Sequence, residues 1–175
     1  NIDALISAIE DNIKTTDKDE QSPPSLQVLR SFDINRPGIP LTKLVGGVLG
    51  GSLSKGIFEV GDEIEIRPGS LNKKSDKKQP LFSKISSLSS SAGLMDKAYP
   101  SGLVAIGTDL DPSLTKSDSF VGSVVGHPNE IPETYYSINV DLDLFDFAIG
   151  SGDMVKVEKL KRNEALRINS GTAVT

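Results

Sequence analysis

The chain has 175 residues, a length that fits one domain or one domain and part of another. It contains no cysteine and a single histidine, His127, which excludes a disulfide scaffold, a cysteine nucleophile and a histidine-rich metal site and makes a Ser-His-Asp triad hard to assemble. Its net charge of −5 is unfavourable for a broad nucleic-acid interface but leaves room for a small local contact with RNA.

No apolar run approaches the roughly 20 residues that a membrane-spanning helix needs. The sequence therefore predicts a cytoplasmic protein without membrane contact. The 16 glycines and 10 prolines, together with only 5% aromatic residues, favour short strands joined by turns over long helices.

The first 24 residues predict a helix and a linker. Apolar side chains recur at helical spacing at Ile2, Leu5, Ile6, Ile9 and Ile13. Residues 14–24 have no such periodicity and end in two prolines, as a linker does. A helix with nothing before it to pack against is expected to be the end of a preceding domain.

Residues 25–130 predict an antiparallel β-barrel or sandwich, because short strand-like runs alternate with Gly/Pro turns. Strict alternation in residues 63–67 predicts a strand with one face in water, ended by Pro68-Gly69, and residues 70–80 predict an exposed polar loop. The predicted strands lie within residues 26–32, 46–51, 63–67, 81–88, 102–106 and 120–125.

Residues 131–175 predict an incomplete second β unit. Residues 135–147 alternate as a half-buried strand does, and shorter strand-like runs follow at 154–158 and 165–168. Two or three strands are too few to close a barrel. The sequence is therefore expected to be a fragment, cut at both ends.

Catalytic and metal-binding patterns are weak throughout the chain. Ser-x-x-Lys occurs three times, but in glycine-rich or proline-flanked segments and not on a helix. The glycines at 46, 47, 50 and 51 lack the Gly-Lys-Ser/Thr of a phosphate-binding loop, and we expect them to permit close backbone packing. Clustered aspartates such as Asp141 and Asp143 lack EF-hand spacing. The residues by themselves predict a β-rich binding module, with no catalytic residue and no metal site.

Three sequence blocks carry a resemblance to a known family. They are RSFDINRPG at 30–38, LVGGVLGGS at 44–52 and GDEIEIRPG at 61–69, and LDPSLTKSD at 110–118 continues the match. In this order they closely resemble the second domain of the gamma subunit of eukaryotic and archaeal translation initiation factor two. Residues 1–24 are similar to the end of that family's GTP-binding domain, and residues 131–175 to the start of its third domain.

The resemblance implies a fold and a function. The fold is mainly β: a barrel of the translational-GTPase second-domain type over residues 25–130, followed by part of a second β-barrel. The family's complete protein is a GTPase that uses GTP and Mg²⁺, resembles elongation factor Tu and carries methionyl initiator tRNA to the small ribosomal subunit. It works with alpha and beta subunits. The GTP site and the beta-subunit contact lie in the family's first domain, so no GTPase activity and no cofactor are expected in this chain.

The resemblance also nominates residues that contact the tRNA 3′ end. By similarity to elongation factor Tu, apolar side chains of two strands face the terminal adenosine, which here points to Val48, Leu49, Leu103 and Val104. Filling the barrel core is an equally good explanation for each of these four. From the LDPSLTKSD block come two further candidates, Asp111 and Asp118, for which hydrogen bonding within a turn is the alternative.

In this family the alpha subunit docks on loops of the second domain. Two segments are candidates here: the turn Asn35, Arg36, Pro37 and Gly38, and the charged loop that contains Lys73 and Lys74. The turn is favoured, because the charged loop has the composition of an ordinary solvated insertion.

Two alternatives stay open at this level. One is the second domain of a related translational GTPase, the selenocysteine-specific elongation factor, although the RSFD block disfavours it. The other is a free-standing β-barrel interaction module with no RNA role. The predicted helix at residues 2–13 disfavours that module, since a free-standing barrel needs no remnant of a preceding domain.

Overall fold

A computed structural model describes residues 2–13, 17–71, 78–100, 102–148, 150, 155–171 and 173–174. A helix, α1, spans Ile2–Asn12 and agrees with the predicted helix. None of its residues is buried, so its apolar face lies in solvent. Within the described residues no helix has both the length and the apolar content that crossing a bilayer requires.

The strands in chain order are β1 (Ser25–Phe32), β2 (Val48–Lys55), β3 (Phe58–Glu59), β4 (Glu63–Leu71), β5 (Lys78–Ser90), β6 (Gly93–Met95), β7 (Lys97–Ala98), β8 (Leu103–Thr108), β9 (Val124–Gly126), β10 (Asn169–Ser170) and β11 (Ala173–Val174). Two 3-10 segments, Leu41–Lys43 and Pro112–Asp118, lie between strands.

Six antiparallel strands form a closed barrel. Their order is β4-β9-β1-β2-β8-β5, and a pairing of β5 with β4 closes the ring. Strand β6 extends β5 as a hairpin, while β3 pairs with β7 and β10 with β11. The predicted antiparallel barrel is confirmed.

The barrel interior is filled by alternate apolar side chains of these strands. Successive strand residues point to opposite faces, so every second side chain faces inward. The most deeply buried ones are Leu26, Val28, Leu49, Leu53, Ile64, Ile66, Ile85, Leu88, Ile106 and Val125, and Phe58 of β3 joins this core. Burial of these side chains is the main term that stabilises the barrel.

Several predicted strand boundaries are wrong. Strand β4 does not end at Pro68-Gly69 but runs to Leu71, and β5 begins at Lys78, inside the predicted polar loop. An irregular register between Ile66 and Ser70 lets the ladder continue past a proline, which has no N–H to donate. Strand β9 is also shorter than predicted, since it begins only at Val124.

The predicted strand at residues 135–147 is not formed. All thirteen of these residues are exposed, and a single bridge joins Phe147 to Lys156. An alternating segment becomes a strand only where a neighbouring strand pairs with it and a second layer covers its apolar face. In the described part of the chain the segment pairs only through this one bridge, and its side chains remain exposed. The division into residues 1–24, 25–130 and 131–175 stays a prediction.

Strand β4 also departs from the predicted wet face. Glu65 is only 1% exposed, between the buried Ile64 and Ile66. Its Oε1 is 2.6 Å from Arg67 Nε, and its Oε2 accepts the backbone N–H of Asn129 at 2.8 Å. Arg67 in turn donates from Nη1 to the Pro132 carbonyl at 3.1 Å. The carboxylate is buried because these donors satisfy it, and together they attach residues 129–132 to the barrel wall.

This network predicts a large difference between two glutamates of one strand. Glu65→Ala should lower the free energy of unfolding by about 3 kcal/mol, because it leaves Arg67 without its buried partner. Glu63→Ala, at an exposed position of β4, should change it by less than about 0.5 kcal/mol. Urea unfolding of the two variants measures both values, and equal effects would contradict the assignment of Glu65 as an anchor.

Candidate functional site

A row of four residues, one from each of four neighbouring strands, crosses the outer face of the barrel. Arg30 of β1 stands opposite Gly50 of β2, Gly50 opposite Ala105 of β8, and Ala105 opposite Ser89 of β5. Residues that face one another across antiparallel strands lie on the same side of the sheet. The outer surface is therefore recessed at Gly50 and Ala105, which have the smallest side chains. Arg30 lies at one end of the row and Ser89 at the other.

This row forms the floor of a groove that we call the outer groove. It encloses about 490 Å³ and is lined by Leu29, Arg30, Phe32, Gly50, Gly51, Ser89–Ser91 and Leu103–Ala105. Phe32 and Leu103 are its exposed apolar side chains, and Leu103 is 67% exposed. A groove of this volume lies within the range of ligand sites, roughly 300–1,000 Å³.

The four glycines of the LVGGVLGGS block have two different roles. A Cβ at Gly46, Gly47 or Gly51 would collide with Thr108, Thr115 or Gln27, respectively, as expected for close packing. A Cβ at Gly50 would meet nothing closer than the Cβ of Arg30 at 3.8 Å. The absence of a side chain at Gly50 therefore gives the groove its depth.

The four apolar candidates for tRNA contact do not lie together on the surface. Leu49, Val48 and Val104 are buried, with 0%, 7% and 4% exposure, and Leu49 and Val104 pack in the core. Val104 also lines the groove from below. Leu103 alone of the four presents most of its side chain to solvent beside the groove.

Asp111 and Asp118 stand at the two ends of the 3-10 segment Pro112–Asp118. Asp111 is its N-cap and accepts the backbone N–H of Ser113 at 2.8 Å. Asp118 accepts at a single oxygen, Oδ1, both from the backbone N–H of Ser31 and from Arg30 Nε, each at 2.9 Å. The first carboxylate therefore shapes a turn, and the second joins this segment to β1 and to the groove.

These hydrogen bonds favour the ionised carboxylates. Those from Ser113 lower the pKa of Asp111, and those from the Ser31 backbone and then from Arg30 lower the pKa of Asp118 below its ordinary 3.8. Their contribution to stability is therefore present above pH 3.8 and is lost as the pH falls through the lowered pKa.

The loop between β1 and β2 is held by Asn35. Its side-chain Nδ2 donates to the Val45 carbonyl at 2.8 Å, and its Oδ1 accepts the Val45 N–H at 2.9 Å, which ties the two ends of the loop together. The tip, Arg36, Pro37 and Gly38, is exposed, and Gly38 has a positive φ of 83° that the turn requires. Lys73 and Lys74 lie outside the described residues.

Sequence patterns missed the residues that build the outer groove. Arg30 and Phe32 stand in the RSFDINRPG block and Ser89–Ser91 in no motif, but nothing in these patterns indicates a groove, because the residues meet only through strand register. His127 is half-buried and does not line the groove. Its two ring nitrogens lie 3.2 Å from Asp62 and from Glu130, and its ring meets Phe58 edge-on.

The described residues offer less support for a second ligand pocket or for a metal site. A second depression of about 500 Å³ beside β4 and β5 is lined by Glu63, Phe82 and Lys84 among others, so it mixes charges of both signs. In the part of the chain that the structure describes, no three acidic or histidine side chains come together as a metal site would require.

The Asp118 contacts predict a titration result. In Arg30→Gln the pKa of Asp118 should rise but stay below 3.8, because the stronger hydrogen bond, from the Ser31 backbone, remains. Carboxyl carbon NMR across acid pH measures this value. Asp111 is the internal control: its pKa is lowered chiefly by Ser113 and should not change. An unchanged Asp118 would show that Arg30 does not hold the carboxylate in solution.

Comparison with known proteins gives one consistent answer. No family model matches the chain. It is 50% identical over 175 residues to translation initiation factor 2 subunit gamma of Archaeoglobus fulgidus, 48% identical over 177 residues to that of Pyrococcus abyssi, and 46% identical over 177 residues to that of Methanocaldococcus jannaschii. All of this chain is matched, and it spans 41% of the first relative and 43% of the other two. The resemblance to the gamma subunit of translation initiation factor two is thereby confirmed along the whole chain, which corresponds to a segment of that family.

Proposed function

We propose that this chain acts in translation initiation by binding the 3′ end of methionyl initiator tRNA in the outer groove and the alpha subunit on the loop between β1 and β2. The observation that carries the RNA part is the groove itself: an apolar surface with a floor of small residues, open to solvent, at the strands that the family resemblance nominates.

The chemistry of the groove suits a base. Phe32 and Leu103 offer apolar surface, against which a base gains roughly 1–3 kcal/mol by stacking and burial without a basic surround. Hydroxyl groups of Ser89–Ser91 at the other side can exchange hydrogen bonds with ribose or base edges. This explains how a chain of net charge −5 can bind RNA locally.

Of the residues nominated from the sequence, Leu103 is kept as a direct RNA contact. Leu49 has no exposed surface, and Val48 and Val104 have very little. We propose that Leu49 and Val104 support the groove from the core, that the buried Val48 supports strand β2 beside it, that Asp118 acts at the edge of the groove, and that Asp111 shapes the adjoining turn.

The remaining activities are proposed for the complete protein. Its GTPase activity, with GTP and Mg²⁺, and its contact with the beta subunit belong to the part of the relatives that this chain does not span. Delivery of the tRNA to the small ribosomal subunit needs that complete protein. The domain division at residues 24 and 130 is part of the same proposal.

The alpha-subunit surface is proposed at the tip formed by Arg36, Pro37 and Gly38. Asn35 locks the two ends of the loop through paired hydrogen bonds to Val45, so the tip is presented in a fixed shape. The neighbouring apolar side chains Ile34 and Leu41 are exposed and enlarge the contact area. An ordered tip lowers the entropy lost on docking.

Filling the groove should weaken RNA binding without unfolding the barrel. Gly50→Val adds volume on the open face, where a Cβ has room. It should weaken binding of CCA trinucleotide carrying methionine through a 3′ amide by at least about tenfold, since stacking against the floor is lost. Leu103→Ala should cost about 1 kcal/mol of binding. Nuclear magnetic resonance titration of the labelled chain measures both affinities.

Phe82→Ala is the matched control for this test, since Phe82 is 62% exposed but lies away from the groove. It should bind the trinucleotide as the unchanged chain does. Equal affinities of Gly50→Val and the unchanged chain, with both folded by circular dichroism, would exclude the outer groove as the RNA site.

Reversing the charge at the loop tip should prevent docking of the alpha subunit. Arg36→Glu should remove saturable binding of the C-terminal domain of the alpha subunit in calorimetric titration, whereas Lys84→Glu, an equal charge change at an exposed position of β5, should leave it unchanged. Docking that survives Arg36→Glu would move the partner to another surface.

A further inference from the structure

Arg30 and Asp118 form an ion pair at the end of the outer groove. The Arg30 Nε lies 2.9 Å from Asp118 Oδ1, and the same oxygen accepts the Ser31 backbone N–H. Because Asp118 is bonded to the backbone of β1, its position relative to that strand is fixed. The carboxylate therefore holds the Arg30 guanidinium by its Nε.

The rest of the guanidinium is available. Arginine has five N–H donors in a planar fork, and Nε uses one of them here. Arg30 is 70% exposed at its side chain, and within the described residues its Nη1 and Nη2 make no hydrogen bond. Two parallel N–H donors in this arrangement match two oxygens of a phosphate.

At this end of the groove Arg30 supplies a positive charge and Asp118, its ion-pair partner, a negative one. Among the described residues that line the groove, Arg30 is the only charged one. The neighbouring 3-10 segment carries one cation, Lys116. Its Nζ lies 3.5 Å from Asp33 Oδ2, so Lys116 is paired with that carboxylate. An anionic ligand in the groove therefore meets Arg30 first.

We propose that Arg30 contacts the last phosphodiester of the RNA 3′ end, and that Asp118 is its positioning residue. The terminal base lies over Gly50 and Ala105, and the phosphate that joins it to the preceding nucleotide lies at the Arg30 end of the row. This inference rests on the proposed function, since it assigns a further contact to the same groove.

The test pairs a change in the protein with a change in the ligand. The probe is CCA with a 3′ methionyl amide, in one form with normal phosphodiesters and in the other with a neutral methylphosphonate at the last linkage. The unchanged chain should bind the normal probe about tenfold more tightly than the neutral one, as for a charge-assisted hydrogen bond. Arg30→Gln should bind both equally and weakly. Discrimination that persists in Arg30→Gln would overturn the proposal.

Variants of Asp118 test the positioning role. Asp118→Ala releases the guanidinium and should lose most of the discrimination between the two probes. Asp118→Asn keeps Oδ1 as an acceptor for Ser31 and Arg30, so this variant should discriminate between the two probes as the unchanged chain does. If Asp118→Ala discriminates as the unchanged chain does, Asp118 does not position Arg30. Thermal unfolding monitors the folded state of each variant.

The experiments distinguish failure of the phosphate contact from failure of the outer groove as the RNA site. If Gly50→Val weakens the normal probe but the neutral linkage has no effect on the unchanged chain, the groove binds the RNA end and the phosphate contact is wrong. If neither change affects binding, the groove is not the RNA site and both proposals are wrong.

Discussion

Closure of the barrel by the pairing of β5 with β4 is the constraint on which the other features depend. A closed sheet has an inside and an outside, so each strand residue is committed to the core or to the surface by its position in the register. Leu49 and Gly50 are neighbours in sequence, yet the first fills the core and the second forms the floor of the outer groove. A slip of one residue in the pairing of β1 with β2 would exchange these roles and destroy both the core and the groove.

The strand pattern of the barrel could be predicted from sequence because hydrophobic alternation is a local property. The LVGGVLGGS block also predicted close backbone packing correctly at Gly46, Gly47 and Gly51. Alternation failed at Glu65, whose burial depends on Asn129 and Arg67. It also failed in residues 135–147, where one bridge is the only pairing within the described chain and all side chains are exposed. In both places the outcome depends on partners that a local pattern does not contain.

The outer groove could not be predicted residue by residue. Its row joins Arg30 to Ser89 through Gly50 and Ala105, so it exists only once four strands are aligned. The family resemblance nominated residues of β2 and β8, two of the four strands that line the groove, but Leu49 and Val104 pack in the core and Val48 is buried. The resemblance therefore identified two of the strands that line the groove. The face on which each of their side chains lies could be read only from the strand register.

Strand β9 has a consequence for how the chain acquires its fold. It is only three residues long, yet it pairs with both β1 and β4 and so completes the ring. Its partner residues in β1, Leu26 and Gln27, precede it by almost a hundred positions in the chain. Such non-local pairing makes folding slow, since a long loop must close before the contacts form. During synthesis, one edge of β1 and one edge of β4 remain unpaired until Val124–Gly126 has left the ribosome. Protection of those two edges from association becomes a requirement on the nascent chain.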